Sequence, residues 1–229
     1  MTDDLRVVTP TLLLVDDDES VRRGLRRLLS SAGYVVETFA NATELLARDP
    51  LSVPGCLILD VHLPDLSGLD LHALLRSTGV DKATVFVTGH DDVPASVRAM
   101  RGGAIDFLTK PIDEAVLISA VERALARDRR ERSDVAELDV LRRRADRLTP
   151  REREVCALVA SGRPNKQIAA VLGTSEKTVK VHRARVMTKL EASSVPDLVR
   201  VADRLGLRYR DMAPTSEADS DASNPHLSP

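Results

Sequence analysis

Five times in the first 125 or so residues, a short apolar run alternates with a stretch of helical periodicity. The runs are Thr11–Val15, Val35–Phe39, Gly55–Leu59, Thr84–Thr88 and Ile105–Thr109. Between the first two, Ser20–Ala32 places Val21, Leu25, Leu28 and Leu29 on one helical stripe. Asn41–Arg48, Ser67–Ser77, Pro94–Arg101 and Asp113–Arg127 fill the later gaps. Leu12–Val15 and Cys56–Leu59 are apolar at every position, not at alternate ones, as strands covered on both faces must be. The expected fold of this half is therefore α/β, a doubly wound five-stranded parallel sheet.

After residue 146 the pattern changes to four short helical segments, a small all-α unit. LTPREREVCALVASG opens with a Thr cap and a Pro in the first turn; NKQIAAVLG stops at Gly173; TSEKTVKVHRARVMTKL is longer; VPDLVRVADRLGL is the fourth. Residues 126–146 are charge-rich helix formers that could extend the preceding helix or serve as a helical linker. The polar, Pro-containing tail reads as disordered. The expected boundaries are 10–126, a linker at 127–145, 146–208, and the tail at 209–229.

Charge divides along the same lines. Residues 1–125 carry 19 acids and 12 bases, whereas residues 147–208 carry 6 and 13. Two units with different partners follow. Trp is absent and aromatics are 2%, which argues against a base-stacking single-strand binder. No apolar run nears the ~20 residues of a membrane span. The acidic start MTDDLRVVTP has no signal segment, so the expected location is cytoplasmic, with no membrane partner. Cys56 and Cys156 lie in apolar surroundings without metal-type spacing, as buried thiols do.

Chemistry gathers where the strands end. The first strand runs into Asp16, Asp17, Asp18 and Glu19; the third ends at Asp60, the fourth at Thr88 and the fifth at Lys110. Ligands of open α/β sheets bind at these carboxyl ends. Converging carboxylates need a cation, and hard oxygens suit Mg²⁺. With Thr88 and Lys110 holding phosphoryl oxygens, Asp60 becomes a nucleophile towards phosphorus. Singly, each feature has a plain alternative: a solvated acidic loop, a helix cap, a strand-end hydroxyl. Their conjunction carries the reading. His62 and His90 could influence acyl-phosphate hydrolysis or be ordinary loop residues; His72 reads as a helix-surface residue and His226 as part of the tail.

VDDDES, LILDVHLPDLSGLDL, VFVTGHDD and DFLTKPI resemble the receiver domain of two-component response regulators, a flavodoxin-like fold. The spacings of 43, 28 and 22 residues from Asp17 through Asp60 and Thr88 to Lys110 match that family's order. The resemblance implies that a sensor histidine kinase phosphorylates Asp60, and that Asp16, Asp17, Asp60 and the His62 backbone carbonyl hold Mg²⁺. It also implies that Thr88 turns towards the phosphoryl group, that Lys110 pairs with it, and that Phe107 is the switch aromatic. Asp18 stands where the family can carry Glu, and Ile112 where Phe is common.

In the basic half, the short helix, Gly-containing turn and longer helix have helix-turn-helix proportions. Val179, Val186, Met187 and Leu190 should face the core, and Lys177, Val181, Ala184, Arg185 and Thr188 the other side, with Lys180 beside them. This region resembles the LuxR-type helix-turn-helix, and the whole chain the FixJ-like branch of these regulators. That match assigns base edges to Lys180, Val181 and Ala184, and phosphates to Lys166, Thr178, Arg183, Arg185 and His182, the last with a semi-buried place as the alternative; Lys177 is a further DNA-binding candidate. The expected partners are double-stranded DNA with a two-fold site, a second copy of the chain upon phosphorylation, and RNA polymerase. A phosphatase or phosphotransferase built on Asp60 is one rival; such enzymes commonly need an acid two residues on to protonate the leaving group, a position held here by His62, and no substrate-capping insertion is visible. A DNA binder indifferent to phosphorylation is another. The expectation is a regulator that at most hydrolyses its own acyl phosphate slowly, not a dedicated enzyme.

Overall fold

The computed structural model describes residues 9–89, 93–207 and 209. His90, His226 and the expected disordered tail, Tyr209 apart, lie outside them. The chain divides into two compact units after Ser133.

The first unit alternates strand and helix: β1 (Thr11–Val15), α1 (Glu19–Ser31), β2 (Val35–Phe39), α2 (Ala42–Leu46), β3 (Gly55–Asp60), α3 (Gly68–Ser77), β4 (Thr84–Thr88), α4 (Val93–Arg101), β5 (Asp106–Thr109) and the first part of α5 (Glu114–Asp146), a helix that runs on past Ser133. All five strands are parallel, in the order β2-β1-β3-β4-β5. The unbroken apolar runs are explained by two cores. Leu12, Leu14, Ile58, Val85 and Val87 meet Leu29 of α1 and Leu117, Val121 and Leu125 of α5 on one face. Leu13, Val15, Leu57, Leu59 and Phe86 meet α2, α3 and α4 on the other. Because neighbouring strand residues point to opposite faces, both sets must be apolar. Cys56 is buried in the first core, and that burial pushes its thiol up to about 12.

Helix α5 is one continuous helix that takes in both the expected segment 113–127 and the charged residues after it. Its buried stripe of Leu117, Ala120, Val121, Ala124 and Leu125 continues to Asp128. This carboxylate is tolerated inside because it accepts from the Gly55 amide at 3.0 Å and from Arg132 at 3.0 Å.

The second unit holds α6 (Pro150–Ala160), α7 (Asn165–Val171), α8 (Glu176–Leu190) and α9 (Val195–Arg204). They pack with Ala145 and Leu148 around Val155, Leu158, Ile168, Val179, Val186, Leu190 and Leu198. Thr149 and Glu152 form a reciprocal capping box on α6, and Ser175 caps α8. Gly173 follows α7 with φ of 59°, a left-handed residue that ends the helix. Glu152 is 2% exposed, and its partner Lys189 reaches it at 2.6 Å. Burial raises this carboxyl, but the Lys189 and Thr149 hydrogen bonds outweigh it and hold it below its ordinary value. Tyr209 still belongs to the packed region, with the Arg163 guanidinium 5.6 Å above its ring. Among the described residues, no helix is long and apolar enough to cross a membrane.

Candidate functional site: an acidic pocket and a basic helix

The four acids after β1 have separate tasks. Asp16 is buried at the strand end. Asp17 is exposed. Asp18 caps α1, accepting from the amides of Ser20 at 2.7 Å and Val21 at 3.3 Å. The Ser20 hydroxyl and these amides hold its carboxyl below the usual range. Glu19 pairs with Arg23 on the solvent side of α1. Only Asp16 and Asp17 are therefore available to the pocket.

The sheet order places β1 beside β3, β3 beside β4 and β4 beside β5, so Asp16, Asp60, Thr88 and Lys110 arrive together. Lys110 Nζ lies 2.6 Å from Asp16 Oδ2 and 2.6 Å from Asp60 Oδ2. The other oxygen of each carboxylate accepts a backbone amide: Asp16 Oδ1 from Asp18 at 3.0 Å, Asp60 Oδ1 from His62 at 2.9 Å. Thr88 is fully buried, and its carbonyl accepts from the Lys110 amide at 2.7 Å. Burial holds the Asp16 carboxyl above its ordinary value, against the lowering influence of Lys110. For Lys110 the balance is reversed: burial lowers it, but the two carboxylate hydrogen bonds together raise it.

One carboxylate oxygen from each of Asp16, Asp17 and Asp60 lies within 4.8 Å of the others. Three hard oxygen donors at that separation fit one small divalent cation. The loop after Asp60 is fixed at two points. A Cβ on Gly68 would lie 2.0 Å from the Asp60 carbonyl oxygen, so no larger residue fits there. Asp65 accepts from the Ala42 and Thr43 amides at 3.1 and 2.9 Å and from the Thr43 hydroxyl at 2.7 Å, tying the loop to the start of α2. The Thr43 hydroxyl is the main cause that brings Asp65 down to about 2. His62 is exposed.

Phe107 is half-buried, and its ring centroid lies 6.5 Å from that of the fully buried Phe86. Phe86 in turn meets His72 edge-on at 5.5 Å. This corrects the sequence reading of His72 as a surface residue: it is 5% exposed and part of the α3 packing face. Burial, then Arg76, hold it below its ordinary value. Sequence reasoning also missed Phe86, Asp65 and Arg22. Arg22 Nη1 donates to the Asp16 carbonyl at 2.6 Å and the Asp17 carbonyl at 2.8 Å. The available signal was its place one turn beyond the Asp18 cap, since long helical side chains reach back towards the N-terminus.

On α8, Val179, Val186 and Leu190 are buried and Met187 half-buried. Lys177, Lys180, Val181, Ala184, Arg185 and Thr188 are exposed. Thr178 donates its amide to Ser175 Oγ at 3.1 Å. Arg183 reaches Asn165 Oδ1 of α7 at 3.2 Å, beside the exposed Lys166. His182 is half-buried, and its Nδ1 has no hydrogen-bond partner among the described residues. The helix thus presents a basic face on which Val181 and Ala184 are small or apolar exposed positions.

Residues 12–122 match the family described as the response regulator receiver domain, and residues 146–202 the one described as bacterial regulatory proteins, luxR family. Nodulation protein W of Bradyrhizobium diazoefficiens is 44% identical over 196 residues, 86% of each chain. Transcriptional regulatory protein FixJ of Azorhizobium caulinodans is 44% identical over 202 residues, 87% of this chain and 95% of that one. Among solved structures, the response regulator StyR has a TM-score of 0.74 at 44% identity, covering 86% of this chain and 99% of its own. Full-length FixJ from B. japonicum has a TM-score of 0.53 at 36% identity, with 86% and 98% covered. The alignments of 196 and 202 residues are longer than either unit.

Proposed function

Because the chain belongs to the two-component response regulators that join a receiver to a LuxR-family DNA-binding domain, alongside FixJ, we propose that it is switched by phosphoryl transfer to Asp60. The observation that carries this reading is the Lys110 ammonium held between Asp16 and Asp60 at 2.6 Å from each. It already neutralises the nucleophile's surroundings, and it is within reach of an anion built on Asp60. In the transfer, an Asp60 oxygen bonds to phosphorus as the bond from phosphorus to the kinase's imidazole nitrogen breaks, with the bond's electron pair leaving on that nitrogen. Asp16, Asp17, Asp60 and the His62 carbonyl would hold Mg²⁺, whose charge would offset that of the phosphoryl oxygens. Lys110 exchanges a carboxylate contact for a phosphoryl oxygen, and Thr88 turns its hydroxyl to the same group. Space vacated at Thr88 admits the Phe107 ring, which today rests against Phe86. The acyl phosphate is then lost by slow hydrolysis, with no separate substrate.

The readout is pairing of two chains through the face that includes α4. Val93, Val97 and Met100 recur at helical spacing on α4 and are 70%, 43% and 51% exposed, an apolar stripe suited to a second copy. Pairing sets two α8 helices on a two-fold DNA site in the cytoplasm, where RNA polymerase is the further partner. Lys180, Val181 and Ala184 read base edges; Lys166, Lys177, Thr178, His182, Arg183 and Arg185 meet phosphates. The proposed working boundaries are a receiver at 10–126, a helical linker at 127–145, and a DNA-binding domain at 146–208.

Sedimentation and fluorescence anisotropy on a selected DNA site, with and without a small-molecule phosphodonor and Mg²⁺, test the switch. Phosphorylation is expected to convert monomer to dimer and to tighten DNA binding; a phosphorylated monomer of unchanged affinity overturns it. On the same site, Lys180→Ala should cost about 1–3 kcal/mol at one base position. Arg185→Ala should weaken all sequences alike and reduce the salt slope by about one. Equal losses for Lys180→Ala on every sequence would remove its base-reading role.

A further inference from the structure

We infer that Arg22 is a positioning residue for the divalent cation: it holds the turn between β1 and α1 in the shape that sends Asp17 into the pocket. The inference rests on the reading of Asp16, Asp17 and Asp60 as cation ligands.

The three carboxylates are not equally supported. Asp16 and Asp60 each have one oxygen on Lys110 and the other on a backbone amide. The Asp17 carboxylate has no hydrogen-bond partner among the described residues, and the side chain is exposed. Its direction is therefore set by the backbone that carries it. That backbone is tied at every peptide. The Asp16 amide donates to the Phe39 carbonyl at 3.2 Å, and the Asp18 amide to Asp16 Oδ1 at 3.0 Å. The two carbonyls between them, of Asp16 and Asp17, both accept from Arg22 Nη1 at 2.6 and 2.8 Å. One nitrogen fixes two successive peptide planes, the two that flank the Asp17 Cα.

The choice of acceptor matters. A guanidinium on the carboxylates would occupy the lone pairs a cation needs, as Arg–carboxylate pairs do. Arg22 instead binds the carbonyls and leaves the acid oxygens open. Its positive charge near the pocket still repels a cation. Positioning and repulsion therefore predict opposite signs when Arg22 is removed, which makes the inference testable. Groups that orient metal ligands typically contribute about 10–100-fold in affinity.

The test is Mn²⁺ titration of the full chain, followed by the electron paramagnetic resonance of free Mn²⁺, with Mg²⁺ as competitor. Arg22→Met is expected to raise the Mn²⁺ Kd at least about tenfold. Arg22→Lys, which keeps the charge and a donor but not the guanidinium's reach, should fall between. If Arg22 acts through Asp17, Arg22→Met added to Asp17→Asn should weaken binding no further than Asp17→Asn alone. Unchanged or tighter binding in a folded Arg22→Met protein overturns the inference, as does full additivity with Asp17→Asn. Should Arg22→Met not fold, Arg22→Lys and Arg22→Gln carry the same comparison. Wild-type protein that binds no Mn²⁺, or an Asp17→Asn variant that binds it as well as wild type, would instead fail the underlying assignment of the ligands.

Discussion

Replacing Lys110 with Met removes the cation that two buried carboxylates share. The Asp16 and Asp60 side chains are 1% and 5% exposed and that of Lys110 is 20% exposed, so water can take over little of its role. At 2.6 Å and an effective dielectric near 20, each contact is worth about 6 kcal/mol before desolvation is charged against it. Breaking a buried pair by removing one partner costs about 3–5 kcal/mol, because the uncompensated charge stays inside. Here two like charges remain, so the upper part of that range applies. Hydrogen exchange followed by mass spectrometry, on peptides from β1 and β3, reads the opening of the first unit separately from the second. Lys110→Met should speed exchange there roughly a thousandfold to several-thousandfold without metal. Adding Mg²⁺, or adding Asp60→Asn to the same chain, should recover most of the loss, since each lowers the unbalanced charge. A slowdown, no change, or a loss indifferent to both Mg²⁺ and Asp60→Asn would refute the charge argument.

Two further predictions concern the frame around the pocket. His72 is held below its ordinary value by burial, so the unfolded chain takes up its proton first as pH falls. Stability of the first unit should therefore decline below about pH 6.5, by at most about 1.4 kcal/mol per pH unit, and His72→Leu should flatten that part of a denaturation-versus-pH series; an unchanged slope would contradict it. Asp65 has the opposite sign: its carboxylate contributes above the ordinary carboxyl range, and the contribution is lost as pH falls towards about 2. Asp65→Asn should reproduce at neutral pH the loosened amides of Ala42 and Thr43 that acid produces, as amide exchange of α2 would show; full protection in the variant would remove the tether.

The strands were legible because they are buried on both faces: Leu12–Val15 leaves no polar position that could shift the register. Boundaries moved where a side chain caps. Ser20–Ala32 became Glu19–Ser31 because Asp18 accepts the first amides, and Asn41 caps α2, which then spans only five residues. The pocket was legible because its members end successive strands, and the sheet order joins those ends. What was not legible is what depends on reach. Arg22 and Asp65 act on backbone groups, through contacts that spacing alone does not encode. Lys82 is buried because its Nζ finds the Val53 carbonyl at 2.6 Å, and burial lowers it to about 8. His72 had a usable signal, since Gly68, Leu71, His72 and Leu75 share one helical face. A neutral imidazole against an aromatic edge satisfies such a position, which a rule assigning polar residues to the surface overlooks.

The central claim is that the acids at the ends of β1 and β3 form a phosphoryl-acceptor site. Intact mass and peptide mapping, after incubation with a small-molecule phosphodonor and Mg²⁺, test it most directly, with Asp60→Ala alongside. One phosphoryl adduct is expected, mapping to Asp60, dependent on Mg²⁺ and absent from the variant. No adduct on folded wild-type protein, or an adduct that persists in Asp60→Ala, would contradict the account.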